Sequence, residues 1–249
     1  MFIAKTLKAV GRYCLFMKSV VSVPDKWKVF FRRTGSEIYK LGIDSIPLVV
    51  IISLFIGAVI TIQMQINIES PIIPAYAVGL ATRDIVLLEF SSSILCLILA
   101  GKVGSSIASE IGTMRVTEQI DALDIMGVNS ANYLVLPKVI GFLIYIPVLC
   151  VLSMFTSIVG GWIIAQFTDI ISVSRYVYGL QAFFTEWYVW YGLIKCLVFS
   201  VIITTVASFE GYFVDGGSIE VGKASTRAVV NSSILILLFD VILTKLLLQ

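Results

Sequence analysis

Three ionisable residues, Glu89, Lys195 and Asp240, interrupt long apolar stretches of the chain and are the first candidates for chemistry. A charge inside an apolar helix is costly, and it is retained for a partner or for a pathway. Lys195 and Asp240 each lie about eight residues from the outer end of a predicted membrane helix, and therefore roughly 12 Å deep. Equal depth on sequential helices predicts a buried ion pair. Such a pair either fixes the register of the two helices or belongs to a proton or ion pathway.

Glu89 has no ionisable residue predicted at its own depth. It stands near the outer end of the second predicted span, and Ser91, Ser92 and Ser93 follow it. This polar run favours a helix face that lines a cavity. The alternative is a carboxylate that reaches out of the membrane to the outer interface.

The remaining residues offer little for catalysis or metal binding. The chain has no His, which is the commonest base near neutral pH and the commonest metal ligand. Its four cysteines include no C-x-x-C pair and are interpreted as unpaired small hydrophobes. Gly217–Lys223 fits the G-x-x-x-x-G-K part of a phosphate-binding loop, but Ala224 stands where Ser or Thr binds magnesium. We therefore predict no catalytic residue, no metal and no cofactor in this chain.

The elements that hold the three charges are predicted to be membrane-spanning helices. Hydrophobic residues make up 58% of the 249 and charged residues 14%, against about 45–50% and 25% in soluble domains. Stretches of about twenty apolar residues can cross a bilayer, and five of them lie near residues 46–66, 85–108, 133–167, 187–209 and 228–248. The predicted fold is an all-α integral membrane protein with about five transmembrane helices, which form a domain over residues 41–249.

The first forty residues form a basic arm. Nine of the eighteen Lys and Arg residues lie here, among Phe, Leu, Val and Trp, which is typical of amphipathic helices in the headgroup layer. Pro24 and Asp25 are expected to break this interfacial N-terminal segment in two. A cytoplasmic N-terminus leaves fourteen Lys and Arg residues inside and two outside, and five crossings then place Gln249 outside.

Residues 117–126, between the second and third spans, are predicted to form a short cytoplasmic helix that ends at Gly127. The apolar stripe of this helix is Ile120, Leu123 and Met126, and its acidic stripe is Glu118, Asp121 and Asp124. An anionic inner leaflet repels carboxylates, which favours docking on a partner protein. The alternative is a helix that lies on the membrane surface.

Residues 100–128, AGKVGSSIASEIGTMRVTEQIDALDIMGV, closely resemble the signature of MlaE-type permeases, the membrane subunits of ABC transporters that move lipids across the Gram-negative envelope. The segment from Gly211-Tyr212 to Leu243-Thr244 is similar to the closing motif of the same family. The resemblance implies a homodimer with a second copy of the chain, cytoplasmic ABC ATPase subunits and a periplasmic MCE-domain protein.

The resemblance also implies roles for individual residues. The 117–126 helix becomes a coupling helix to the ATPase, with contacts from Thr117, Glu118, Gln119, Asp121 and Asp124. Glu89, Phe90 and Ser92 become part of a lipid cavity. Family members often carry Arg-Glu-Leu-Gly-Pro where this chain has Leu88-Glu89-Phe90-Ser91-Ser92. The carboxylate is shared, but the Arg and Pro are not, and a more apolar cavity wall is expected.

The function implied by the resemblance is that of a non-enzymatic permease subunit in the bacterial inner membrane, which moves lipids, and phospholipids in particular, between the inner and outer membranes. ATP hydrolysis is expected on a separate subunit. An ion-coupled secondary transporter that uses Lys195, Asp240 and Glu89 is the alternative, although the chain shows no internal repeat. A membrane-embedded lipid-modifying enzyme is disfavoured by the lack of His.

Overall fold

The computed structural model describes residues 2–24, 26–68, 74–168 and 171–248. Its α-helices are α1 (Phe2–Val20), α2 (Trp27–Glu37), α3 (Ile46–Asn67), α4 (Ala77–Ile85), α5 (Leu95–Leu99), α6 (Ser105–Val116), α7 (Gln119–Ile125), α8 (Ser130–Phe167), α9 (Val173–Gln181), α10 (Trp187–Tyr212) and α11 (Ser218–Leu248). Several of these join end to end through tighter or wider helical turns.

Five helical runs in the described residues are long and apolar enough to cross a membrane. They are span one (Trp27–Asn67), span two (Ala77–Val116), span three (Ser130–Phe167), span four (Trp187–Tyr212) and span five (Ser218–Leu248). The predicted fold, an all-α membrane protein with five transmembrane helices, is confirmed. The chain is a multi-pass membrane protein.

The helices extend beyond the apolar stretches that predict them. Span two covers Ala77–Val116, whereas its apolar stretch is residues 85–108, and span five begins at Ser218 instead of near residue 228. Hydropathy detects only the apolar part of a helix, because polar residues continue the same backbone beyond the hydrocarbon layer. Glu89 therefore lies inside the helical run Ala77–Val116 and near the start of its apolar stretch.

The N-terminal arm contains two helices, and the second is continuous with the first membrane helix. Helix α1 ends at Val20 and α2 begins at Trp27, so the expected break is present, although Asp25 lies outside the described residues. Helix α2 then continues through a π turn (Ile38–Gly42) and a 3₁₀ turn (Ile43–Ser45) into α3. Pro47 does not interrupt this run, because it occupies the first turn of α3, where proline is tolerated.

Span two contains two π-helical segments, Val86–Ile94 and Ala100–Gly104. A π turn accommodates one more residue than an α turn and is often found at functional sites. The first of these segments carries Glu89.

The chain divides into two compact units. The first comprises Met1–Ile43, Leu97–Tyr145 and Phe199–Phe239, and the second comprises Asp44–Cys96, Ile146–Val198 and Asp240–Gln249. In the first unit, Phe16 of α1 packs on the aromatic rings of Phe209, Tyr212 and Phe213 of span four and its C-terminal end. These ring contacts attach the arm to the C-terminal end of span four.

The second unit contains a close contact between spans one and three at two glycines. A Cβ atom at Gly57 would collide with the carbonyl oxygen of Ser157, and one at Gly160 would collide with that of Leu54. Small residues allow this backbone approach, which is a common means of helix packing in lipid.

Candidate functional site

The three ionisable residues of the spans meet in the second unit. Lys195 Nζ lies 2.5 Å from Asp240 Oδ1 and 3.1 Å from Glu89 Oε2. The Lys195 side chain is completely buried, whereas 18% of the Asp240 side chain and 42% of the Glu89 side chain are exposed. The cluster therefore holds one cation in the core and presents a carboxylate at the surface of the chain.

Neighbouring hydroxyl groups complete the cluster. Lys195 Nζ donates to the Tyr191 hydroxyl at 3.1 Å, and Tyr191 also pairs with Thr244 at 2.8 Å. Ser93 Oγ lies 2.6 Å from Asp240 Oδ1 and 3.0 Å from Glu89 Oε2. An ammonium group has three protons to donate, and Asp240, Glu89 and Tyr191 supply an acceptor for each. A buried charge with a complete set of partners is structurally tolerable, and loss of one partner is costly.

Glu89 acquires the partner that the sequence did not predict. Glu89 lies in the π segment Val86–Ile94, and the hydroxyl of Ser93, four residues further on, donates to its carboxylate. The carbonyl oxygen of Ser91, in the same segment, accepts the thiols of Cys150 at 3.3 Å and Cys196 at 3.6 Å. These contacts join spans two, three and four around the π turn. Hydropathy carries no signal for such a turn.

The residues predicted for a lipid cavity have different environments. Glu89 and Phe90 are partly exposed, but Ser92 is fully buried. Its hydroxyl donates to the carbonyl oxygens of Leu88 at 3.3 Å and Glu89 at 3.5 Å, within its own helix. Within this chain, Glu89 and Phe90 supply the exposed surface at this position.

The short helix between spans two and three is α7, Gln119–Ile125, and it is shorter than the predicted 117–126. It begins after Glu118, whose backbone is left-handed with φ of 59° and therefore interrupts the helix from span two. Gly127, with φ of 75°, follows its end as predicted. Ile120 is fully buried and anchors α7 to the first unit.

The residues predicted to contact an ATPase lie together at this turn. Thr117, Glu118, Gln119 and Asp124 are exposed. Asp121 differs from them, because its carboxylate lies 2.6 Å from Arg115 Nη1 and is already paired within the chain.

Two apolar side chains at the end of α7 are also exposed. Ile125 is 87% exposed and Met126 is 68% exposed. Ile125, Met126 and the exposed carboxylates of Glu118 and Asp124 together form an apolar and acidic surface, which we call the tip. The sequence assigned Met126 to the apolar stripe of this helix together with Ile120, and the structure buries Ile120 but leaves Met126 exposed.

A second buried ion cluster holds α7's two flanking helices together. Lys138 Nζ, on span three, lies 2.9 Å from Glu37 Oε1 and 3.0 Å from Glu110 Oε2, and its side chain is only 2% exposed. The sequence indicated no such role, because a lysine at the cytoplasmic end of a span is what the positive-inside bias predicts. Its position ties α2, span two and span three together.

Groups of three or more His, Cys, Asp or Glu that could hold a metal ion are absent from the described residues. The site consists of ion pairs and hydroxyl groups, an arrangement that positions helices and offers a carboxylate to a polar group.

Comparisons with known proteins give a consistent assignment. The chain is 34% identical over 244 residues to a protein of Rickettsia bellii described as "Probable ABC transporter permease protein". This alignment covers 96% of the chain and 92% of the relative. A protein of Synechocystis with a similar description is 34% identical over 218 residues, covering 88% and 82%. The intermembrane phospholipid transport system permease protein MlaE of Haemophilus influenzae is 27% identical over 243 residues, covering 95% and 91%. The family described as Permease MlaE matches residues 34–246. The chain therefore belongs to the MlaE permease family.

Proposed function

We propose that this chain is the membrane subunit of an ABC transporter that moves phospholipids between the inner and outer membranes of a Gram-negative envelope. Membership of the MlaE family over residues 34–246 is the observation that carries the proposal. The name of the similar Haemophilus influenzae protein, a permease of an intermembrane phospholipid transport system, supports the substrate class. The chain resides in the bacterial inner membrane, with its N-terminus in the cytoplasm and its C-terminus in the periplasm.

The proposed assembly contains a second copy of the chain, cytoplasmic ABC ATPase subunits that hydrolyse ATP, and a periplasmic MCE-domain protein. Helix α7 supports the ATPase contact. It has only seven residues, and a helix of this length is unstable in water unless other residues pack against it. Ile120 supplies one anchor, and the exposed Ile125 and Met126 leave an apolar surface for a partner.

The cluster around Lys195 supports a lipid cavity with a fixed wall. Its ion pairs join span two, span four and span five, and the exposed part of Glu89 is the polar feature that remains at the surface. A carboxylate at this position accepts hydrogen bonds from a lipid headgroup, and Phe90 beside it contacts apolar chains. In the proposed dimer, the second copy completes the cavity.

An ion-coupled transporter would use the same three charges as a relay. The Nζ atom of Lys195 already has an acceptor for each of its protons, which favours a structural role for the pair. Relatives named as ABC permeases favour ATP as the energy source.

The test is phospholipid transfer between vesicles, with the chain reconstituted beside the ATPase encoded in its own genome that co-purifies with it. We expect transfer that requires ATP and stops when the ATPase carries an inactivating change in its catalytic carboxylate. Transfer that proceeds without the ATPase and follows an imposed proton or sodium gradient would contradict the proposal.

A further inference from the structure

A cavity of about 310 Å³ lies in the first unit, between the start of α2, the end of α7 and the start of α8. Its size is at the lower end of the roughly 300–1,000 Å³ typical of ligand pockets. The described residues that line it are Pro24, Lys26, Val29, Phe30, Arg33, Leu123, Met126, Val128, Asn129, Asn132, Tyr133 and Pro137. This set contains two cations and several apolar side chains.

The charged residues among those that line the cavity are Lys26 and Arg33, and both are cations. The Arg33 guanidinium is held in place, because its carbon lies 3.7 Å from the centre of the Tyr133 ring and Nη1 donates to the Tyr133 carbonyl oxygen at 3.4 Å. Helix α2 begins at the same place, with no side-chain cap at Lys26 and no acidic residue in its first turn. A helix N-terminus carries partial positive charge and favours an anion. Charge and backbone together indicate an anionic ligand.

The rest of the wall requires a ligand that is also apolar. Val29 and Phe30 of α2 line the cavity together with Leu123 and Met126 at the end of α7. A free inorganic anion would leave these side chains in contact with water. A phosphate joined to a hydrocarbon chain matches both the cations and the apolar side chains that line the cavity.

The surface around the cavity favours a bilayer lipid over a protein. Val21, Val23, Trp27 and Phe31 of the neighbouring arm are all more than half exposed, and basic residues alternate with them. Apolar and basic residues together are typical of a surface that lies on an anionic leaflet. Of the residues in the tip proposed for the ATPase, Met126 lines the cavity, whereas Ile125, Glu118 and Asp124 do not.

We propose that this cavity binds one anionic phospholipid of the cytoplasmic leaflet. Its phosphate lies beside Lys26 and the start of α2, Arg33 two turns along the helix adds positive charge to the same cavity, and the upper part of an acyl chain packs on Phe30 and Met126. The site goes beyond the proposed transport function, because it is separate from the Glu89 cluster. A bound lipid supports the end of α7, so anionic lipid content affects the helix that is proposed to contact the ATPase.

The test is native mass spectrometry of the purified chain, taken from micelles with equal amounts of dioleoylphosphatidylglycerol and dioleoylphosphatidylcholine. The unmodified chain is expected to retain phosphatidylglycerol in preference to phosphatidylcholine. A basic residue near an anionic lipid contributes about a fivefold preference, or about 1 kcal/mol. The double variant Lys26→Gln/Arg33→Gln should therefore prefer phosphatidylglycerol about thirtyfold less than the unmodified chain does. Met126→Glu, which leaves the arm unchanged and places a carboxylate in the cavity, should also lower retention.

The matched control is Lys28→Gln/Arg32→Gln, which removes two cations from exposed positions of the same helix that do not line the cavity. It should keep the preference. An equal loss in this control would overturn the site, because the whole basic arm would then attract the lipid. Unchanged retention in both cavity variants would overturn it as well. The proposal would also be overturned if the ATPase displaced the lipid and if Phe30→Ala retained the ATPase more weakly. Those two results would show that the cavity binds protein. Lipid bound at the proposed Glu89 cavity should not respond to any of these changes. The test can therefore overturn this site without overturning the proposed transport function, and the reverse.

Discussion

Lys195 Nζ and Asp240 Oδ1 lie 2.5 Å apart on spans four and five, with the lysine side chain fully buried. Glu89, on span two, is the second carboxylate of the same cation. The cluster therefore joins spans two, four and five. Lys195 has two carboxylate partners, whereas each carboxylate has Lys195 as its cation, so loss of the lysine and loss of one carboxylate should have different effects.

Removal of the cation is expected to be the most damaging change in this cluster. Lys195→Met leaves two carboxylates facing each other, and breaking a buried pair costs about 3–5 kcal/mol in soluble proteins. Asp240→Leu should cost less, because Glu89 continues to pair with Lys195. The double variant should recover much of the loss. Thermal unfolding in detergent and the yield of monodisperse protein measure these losses of stability. The control is Lys245→Met, which removes an exposed cation from span five, the span of Asp240. Strictly additive losses would show that the two residues do not interact.

The second ion cluster gives an independent prediction about the base of the α7 hairpin. Lys138→Met leaves Glu37 and Glu110 without their shared cation, and the Oε2 atom of Glu37 already has no hydrogen-bond partner. We expect a loss of stability of several kcal/mol. Lys40→Met is the control, since Lys40 is half exposed and lies 3.8 Å from Glu110, and surface pairs contribute about 0–1 kcal/mol. Equal melting temperatures for the two variants would contradict the structural role of Lys138.

The part of the site that depends on depth could be predicted, and the part that depends on helical phase could not. Lys195 and Asp240 are equally far from the ends of their apolar stretches, and this places them together without a structure. The contact of Glu89 with Lys195 depends on the direction in which each side chain leaves its helix, and hydropathy along the sequence does not give that direction.

Two other features are also invisible in the sequence. Lys138 has the position of an ordinary interfacial lysine, and only packing shows that it is buried. The start of α7 depends on the left-handed backbone of Glu118, a conformation uncommon for residues other than glycine. Hydropathy predicts five spans because each one needs a long apolar stretch, and that requirement does not extend to the turns between them.

Alkaline pH should reveal the burial of Tyr176 on α9. Burial raises the pKa of Tyr176 to about 12 from 10, with a hydrogen bond to Thr61 acting in the opposite direction. The unfolded chain ionises first, so the stability from this group is complete below pH 10 and is lost as the pH rises from about 10 to 12. Tyr176→Phe should weaken this loss of thermal stability, although it also removes the bond to the Ile158 carbonyl oxygen. An identical decline in both proteins would assign it to other groups.

The proposed topology can be tested with reporters at the end of the chain. Five spans and a cytoplasmic N-terminus place Gln249 in the periplasm. A reporter that is active only in the cytoplasm should be silent when it is fused after Gln249, and one active only in the periplasm should work there. A fusion after Gly127, in the predicted cytoplasmic turn, is the control and should give the reverse pattern. Cytoplasmic activity at Gln249 would show that one helical run does not cross.

The most direct test of an ATP-driven permease is charge reversal on the exposed side of α7. Glu118→Lys/Asp124→Lys avoids Asp121, whose carboxylate is already paired with Arg115. The matched control is Asp215→Lys, an exposed carboxylate outside α7 in the turn before span five. The quantities to measure are ATPase co-purification and ATP-dependent phospholipid transfer between vesicles. We expect the α7 variant to lose ATPase binding or transfer while it still inserts into the membrane, because opposite charges at the contact become like charges, and we expect the control to retain both. Unchanged co-purification and transfer in the α7 variant would contradict the proposal that this helix connects the permease to its ATPase.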